Sequence, residues 1–320
     1  MMPLCIGIDT SNYTTSIACV CNGSVLFDKR TVLSVDAGHR GLRQSEALFQ
    51  HNRNLPSLIR ALFENIDSKQ VKAVGVSATP TDRENSYMPV FLAGKLAAES
   101  IADALGVSMS ETTHQYGHIR AALLGNEPLM RCERFLSVHL SGGTTDLLMT
   151  NVSPTGKISV DPLGSSSDLH AGQFVDRVAV AMGTPFPGGP HLEQLALQAN
   201  EKQIRIPSSV CKLEISFSGA ESFAARCMDS VKPAELAWGV YDCLARTLAK
   251  WLLNAAQYAG CSTVLISGGV ASSSLLRSLL KERIEGKLEI RYGEPRYSSD
   301  NAVGIALIAD DILRREYGNE

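Results

Sequence analysis

Residues 4–30 read LCIGIDTSNYTTSIACVCNGSVLFDKR, and residues 135–161 read FLSVHLSGGTTDLLMTNVSPTGKISVD. Each is a strand-like run, a turn of Gly, Ser and Thr, a second strand-like run, another turn and a third such run. The two stretches therefore predict two β-meanders built to one plan. After the first, hydrophobic periodicity predicts a helix near 42–65, a strand at 71–78 and a helix at 89–106. After the second it predicts helices near 171–183 and 234–259 and a strand at 262–267. A repeat of roughly 130 to 190 residues is too long for a solenoid unit. The expectation is a duplicated α/β chain with lobes at 1–130 and 131–320, a helical insertion near 165–235, and ligands in a cleft between the lobes.

Composition agrees with an ordinary folded protein. The chain has 320 residues, enough for about two cores, with 44% hydrophobic and 20% charged residues. No apolar run approaches the roughly 20 residues that span a bilayer, and MMPLCIGIDTSN lacks a basic region leading into a long apolar one. The expected location is the cytoplasm, with no membrane partner. Eight cysteines are scattered without a C-x-x-C pair, which reads as buried reduced thiols. A net charge of -3 means that a nucleic-acid partner would need a local basic patch or a second protein.

Two turns invite an anion. Ser141-Gly142-Gly143-Thr144-Thr145 joins two strands, and Ser267-Gly268-Gly269-Val270-Ala271 stands between STVLIS and the expected helix SSSLLRSLLKERI. Glycines let backbone N–H groups approach a phosphate, and a helix N-terminus adds partial positive charge. Neither turn is G-x-x-x-x-G-K-[ST], so P-loop chemistry is not indicated. Asp9, near the end of the first strand, reads either as a group that holds a metal-bound water or ribose, or as a turn cap.

THQYGHI at 113–119 places His114 and His118 four apart. On a helix that spacing lets two rings reach one ion at about 2.0–2.1 Å. It equally suits two ordinary histidines on one helix face. Gly117 between them has room for a ligand or a backbone alongside. No Glu follows the first His, so the general base of a zinc protease is missing and proteolysis is disfavoured. Asp300, in YSSDNAVGIA, is either a third ligand or the cap of the last helix. His139 lies in an apolar strand and reads as a core histidine, while His191 follows a PGGP turn and opens a helix.

Taken together, GIDTS, SEALFQH ending at His51, HQYGH, LSGGTTDLL, AGQFVDRVAVAMGTPFPGGPHLE, ISFSGAES, LISGGVASSSLLR and YSSDNAVGIA occur in an order that resembles the TsaD family, the tRNA threonylcarbamoyladenosine synthases. The resemblance spans nearly the whole chain. It implies an actin-like ATPase (ASKHA) fold of the α/β class, with iron or zinc ligated by His114, His118 and Asp300. It also implies an adenine nucleotide or threonylcarbamoyl adenylate held by Leu140, Ser141, Gly142, Gly143, Thr144, Asp176, Gly189 and the turn with Gly268, Gly269 and Ser273. Asp9 and Asp176 are the candidate catalytic groups. The acyl acceptor implied is N6 of an adenosine in tRNA. The implied partners are tRNA, a smaller ASKHA paralog, a P-loop ATPase and an enzyme that makes the adenylate.

The chain departs from that family on its substrate side. Asn12-Tyr13-Thr14 stands where the family has Cys-Asp-Glu, and Thr79-Pro80-Thr81-Asp82 where a Gly-Pro-Gly loop is usual. Asp168-Leu169-His170-Ala171-Gly172-Gln173 replaces paired aspartates followed by Ala-Ala-Gly-Glu. Thr144 ends the usual Ser-Gly-Gly-His, Glu221 replaces a Lys, and Ser273 replaces an Asn. This pattern fits a divergent paralog. Three functions follow: a TsaD-like transferase acting on tRNA, a carbamoyltransferase with another acceptor, and a regulatory or partner subunit that binds nucleotide and metal without this activity.

Overall fold

A computed structural model describes residues 2–11, 13–35, 42–84, 86–154 and 156–317; Asn12 of the departing Asn12-Tyr13-Thr14 lies outside them. In chain order, the first part contains β1 (Leu4–Ser11), β2 (Thr14–Cys21), β3 (Ser24–Val32), α1 (Gln44–Phe63), β4 (Val71–Thr79), α2 (Phe91–Leu105), β5 (Ser108–Thr113) and α3 (His114–Ala122). There follow β6 (Arg134–Leu140), β7 (Thr145–Val152), β8 (Ile158–Ser165), α4 (Ala171–Ala181), α5 (Gly189–Ala196), β9 (Ser209–Cys211), β10 (Glu214–Ser216) and α6 (Ser218–Cys227). The chain continues with α7 (Pro233–Ala259), β11 (Thr263–Ser267), α8 (Ser274–Ile284), β12 (Glu289–Tyr292) and α9 (Val303–Tyr317).

Both meanders form, and each seeds a five-stranded sheet. The first sheet has the order β3-β2-β1-β4-β5 and the second β12-β11-β6-β7-β8. In each, the meander strands are antiparallel and the two later strands join parallel beside the first meander strand. The plans are identical, strand for strand. Asn22 and Gly23, with φ of 49° and 77°, supply the left-handed pair that a tight β2–β3 hairpin needs. Where the first sheet has, among the described residues, α1 and a 3-10 turn between its meander and its next strand, the second has α4 to α7 with the β9–β10 hairpin.

The chain folds into two compact units, one of Met1–Gly125, Thr155–Lys157 and Ser299–Glu320, the other of Asn126–Pro154 and Ile158–Ser298. The segment from Ser299 thus joins the first unit, whereas a single cut after residue 130 assigns it to the second. The reason is small residues. Leu4, Ile6 and Ile8 of β1 pack with α1 and α2, which leaves Gly7 to meet α9 on the other face. A Cβ at Gly7 would lie 2.4 Å from the Ala306 nitrogen, and one at Gly75 2.9 Å from the Ile305 carbonyl oxygen. Only glycines let α9 lie this close to β1 and β4.

The second unit is centred on Trp251, Tyr241, Phe174 and Phe217, all at most 2% exposed. Phe174 and Phe217 stack with centroids 5.3 Å apart, tying α4 to the start of α6; each buried ring contributes about 1.5–3 kcal/mol. His139 is buried in β6, its Nδ1 3.2 Å from Ser267 Oγ. His191 lies in the first turn of α5. All eight cysteines are free, but only Cys5, Cys19, Cys21 and Cys243 are buried and Cys211 is exposed; burial pushes the Cys5 and Cys19 thiols up to about 12. Among the described residues no helix is long and apolar enough to cross a membrane.

Candidate functional site

Thr113 determines where α3 begins. Its Oγ1 accepts the Tyr116 N–H at 3.1 Å, a cap that makes His114 the first helical residue and places His118 one turn on. α9 crosses α3 at a pair of glycines: a Cβ on Gly304 would stand 1.8 Å from the Gly117 carbonyl oxygen. The room beside Gly117 is filled by α9, chiefly by the Ile305 side chain, whose Cδ1 would lie 2.6 Å from a Cβ on Gly117. Asn301, not Asp300, precedes α9 as its capping group, with Oδ1 accepting the Val303 N–H at 3.1 Å. Asp300 instead turns toward the histidines.

His114 Nε2 and His118 Nε2 are 2.9 Å apart, and Asp300 Oδ1 lies 3.5 and 3.4 Å from them. His114, His118 and Asp300 form one potential cation-holding group within the first unit. A triangle of those sides is circumscribed by a circle of about 1.9 Å radius. That is just under the metal–nitrogen and metal–oxygen bond lengths of about 2.0–2.2 Å, so three such bonds can converge on one ion. Two imidazole nitrogens and a carboxylate suit iron or zinc by ligand type. The residues fit a divalent cation.

The surrounding charge is consistent with this. Asp9, buried in β1, has Oδ1 and Oδ2 3.1 and 3.2 Å from His114 Nδ1, and accepts the Ser77 hydroxyl of β4. Burial opposes a charge on His114, but Asp9 and Asp300 outweigh it and push its pKa up to about 10. Burial, reinforced by His114, pulls His118 down. Burial alone would raise Asp300, yet the two rings hold it well below the usual carboxylate range. Two carboxylates thus face one histidine pair, a negative surplus that a dication would balance. The Asp9 contacts come from β4 and α3, far away in sequence, and no local motif signals them.

The second unit carries the glycine turns. In Ser141–Thr144, the Ser141 Oγ accepts the Gly143 and Thr144 N–H groups at 3.2 and 3.0 Å. The hydroxyl thus ties the turn to itself, and a Cβ at Gly142 or Gly143 would meet nothing within 4 Å, so the side those Cβ atoms would take is open. Leu140 closes β6 behind it, and Gly268, at φ 98°, fits against the Leu140 backbone, where a Cβ would lie 2.3 Å from its carbonyl oxygen. Asp176 Oδ1 accepts the Gly188 and Gly189 N–H groups at 2.8 and 3.2 Å, and the Tyr241 hydroxyl donates to the Gly189 carbonyl at 3.0 Å. Burial raises the Asp176 pKa against the pull of those two N–H groups.

The second glycine turn differs from expectation. A 3-10 turn, Gly269–Ser272, separates it from α8. Ser273 caps that helix through the Leu276 N–H, while Glu193 of α5 accepts the Leu275 N–H and the Ser274 hydroxyl, each at 2.8 Å. A carboxylate already occupies the α8 N-terminus, so this helix end does not offer its charge to a phosphate. Glu193 carries no signal of this at sequence level, since its partners lie some eighty residues later.

Residues 29–307 match the family model described as TsaD, tRNA N6-adenosine threonylcarbamoyltransferase. The chain belongs to the TsaD family. The ASKHA fold expected of a TsaD protein is present, and solved structures share it. HypF from T. kodakarensis is 14% identical with a TM-score of 0.63, matching 99% of this chain and 48% of its own. Full-length HypF in its phosphate- and nucleotide-bound form is 13% identical, with a TM-score of 0.63 over 97% of this chain and 56% of its own. The activator of 2-hydroxyisocaproyl-CoA dehydratase from Clostridium difficile, with bound ADPNP, is 16% identical, with a TM-score of 0.55 over 100% of this chain and 98% of its own. This TsaD-family chain spans about half the length of the HypF chains it matches.

Proposed function

We propose that this chain is a metal-dependent transferase that moves a threonylcarbamoyl group from an adenylate to N6 of adenosine in tRNA. The observation that carries the reading is the convergence of His114, His118 and Asp300 in a chain whose residues 29–307 match the TsaD model. A cation bound there supplies Lewis-acid polarisation of a carbonyl. His114 and His118 orient that centre from one face of α3, and Asp300 supplies its anionic ligand. In the second unit, Asp176 fixes the Gly188–Gly189 turn, and the Ser141–Thr144 turn presents an open backbone face to the adenylate. A mixed anhydride is already activated, so positioning does most of the work and no serine nucleophile is required. Iron or zinc as the ion, tRNA, a smaller ASKHA paralog and a P-loop ATPase as partners, and the cytoplasm as location belong to this proposal.

The test is incubation of the purified chain with threonylcarbamoyl adenylate, tRNA and the partner proteins, followed by nucleoside analysis. Threonylcarbamoyladenosine is the expected product. Its absence with every component present would reject the tRNA acceptor.

One observation favours a second reading. At the β1–β2 turn Tyr13 is 40% exposed and Thr14 is buried, so neither position where the family has an acidic group offers a carboxylate. Under that reading the chain passes a carbamoyl-type group to another acceptor, or serves as a nucleotide- and metal-binding partner subunit. Consumption of the adenylate with an unmodified tRNA would mark the former, and retention of both ligands without turnover the latter.

A further inference from the structure

Asp9 presents a case separate from the three ligands. It is fully buried in β1, and both of its oxygens lie nearly equidistant from His114 Nδ1, at 3.1 and 3.2 Å. Ser77, also fully buried, donates its hydroxyl to Oδ1 from the neighbouring strand β4. The carboxyl group therefore holds the ring at Nδ1, the nitrogen opposite the one that faces His118 and Asp300. When a cation displaces the hydrogen on Nε2, a ring held by its Nδ1 hydrogen offers the lone pair of Nε2 to that ion. That nitrogen is the one directed to His118 Nε2, at 2.9 Å, and to Asp300 Oδ1, at 3.5 Å.

We propose that Asp9, braced by Ser77, is the positioning residue of the cation centre, fixing the ring and tautomer of His114 so that Nε2 is presented to the ion. The proposal rests on the reading of His114, His118 and Asp300 as a divalent-cation site. It replaces the catalytic role expected for Asp9: a carboxyl group enclosed by β1, β4 and α3 touches no substrate. The chain thereby selects for a dication in two layers, with Asp300 as a direct ligand and Asp9 behind the opposite nitrogen of the ring. Ser77 acts only through Asp9, since its hydroxyl reaches the carboxylate and not the ring.

The experiment is titration of the metal-free chain with Co(II) alone, followed by its visible absorption and by competition with a chromophoric chelator. Asp9→Asn is expected to weaken Co(II) by about 10- to 100-fold, the usual cost of losing a carboxylate behind a ligating histidine, and to shift the Co(II) bands. Ser77→Ala, a milder change that keeps the fold, is expected to weaken it less. The double variant should match Asp9→Asn alone. Wild-type Co(II) affinity in Asp9→Asn would overturn the proposal, as would fully multiplicative effects of the two substitutions. His114→Ala in parallel separates the layers: if it binds Co(II) as tightly as the wild type, the reading of the triad itself fails and takes the proposal with it.

Discussion

Gly304 of α9 sits directly on Gly117 of α3, so close that a Cβ on Gly304 would stand 1.8 Å from the Gly117 carbonyl oxygen. This contact places the start of α9, and Asp300 just before it, beside the two histidines. Gly304→Ala should force the helices apart at a cost of about 1–3 kcal/mol, and cation affinity should fall with stability. Urea unfolding together with Co(II) titration reads both. Gly219 in α6 has nothing within 4 Å of its Cβ position, so Gly219→Ala should instead stabilise by about 0.4–1 kcal/mol.

Loss of either ring should empty the centre. His114→Ala and His118→Ala are each expected to abolish stoichiometric iron or zinc, read by elemental analysis of the purified chain. Asp300→Asn, which keeps an oxygen but removes the charge, should leave a weaker site. Unchanged metal content in either His variant would refute the triad.

The Gly188–Gly189 turn depends on Asp176 and Tyr241. Asp176→Ala releases two N–H groups and should weaken ATP binding about tenfold or more, by calorimetry. Tyr241→Phe removes the donor to the half-buried Gly189 carbonyl, at a cost of about 1 kcal/mol in stability, with a smaller loss of affinity. Equal ATP affinity in Asp176→Ala and the wild type would remove this turn from the nucleotide site.

Acid should act through Asp168. Burial alone would raise its carboxyl, but the Ser216 and Ser218 hydroxyls and the Phe217 and Leu169 N–H groups outweigh that and hold it well below the usual carboxylate range. Its folded pKa is depressed, so its contribution is fully present above the ordinary carboxylate value of about 3.9 and is lost as pH falls through the folded value. Since the residue is exposed, Asp168→Ala should cost only about 1–2 kcal/mol at pH 7. The gap between variant and wild type should narrow below about pH 4. A gap independent of pH between 7 and 3 would show that the carboxylate charge is irrelevant to the staple joining α6 to α4.

The two meanders were legible because each is a continuous stretch whose apolar runs and glycine turns mark its own strands. What lay beyond local reading was set by partners far away in sequence. That β4 pairs with β1, and β11 with β6, is not written in either strand. Asp300 resembles a cap as much as a ligand in sequence, and only the fold shows Asn301 doing the capping. Asp9 becomes intelligible only through Ser77 and His114, 68 and 105 residues later. The α8 N-terminus looks ready for an anion because Glu193, 82 residues before Leu275, is invisible to any window around that helix.

The return of the segment from Ser299 to the first unit also sets an order of events during synthesis. β1, β2 and β4 leave the ribosome early, but the helix that covers one side of their sheet, and the aspartate that completes the histidine pair, are made only after the whole second unit. At roughly 5–20 residues per second the first sheet waits on the order of ten to forty seconds with its Gly7 and Gly75 face uncovered. The second unit can finish folding in that interval, so the nascent chain acquires its glycine-turn half first and its cation centre last.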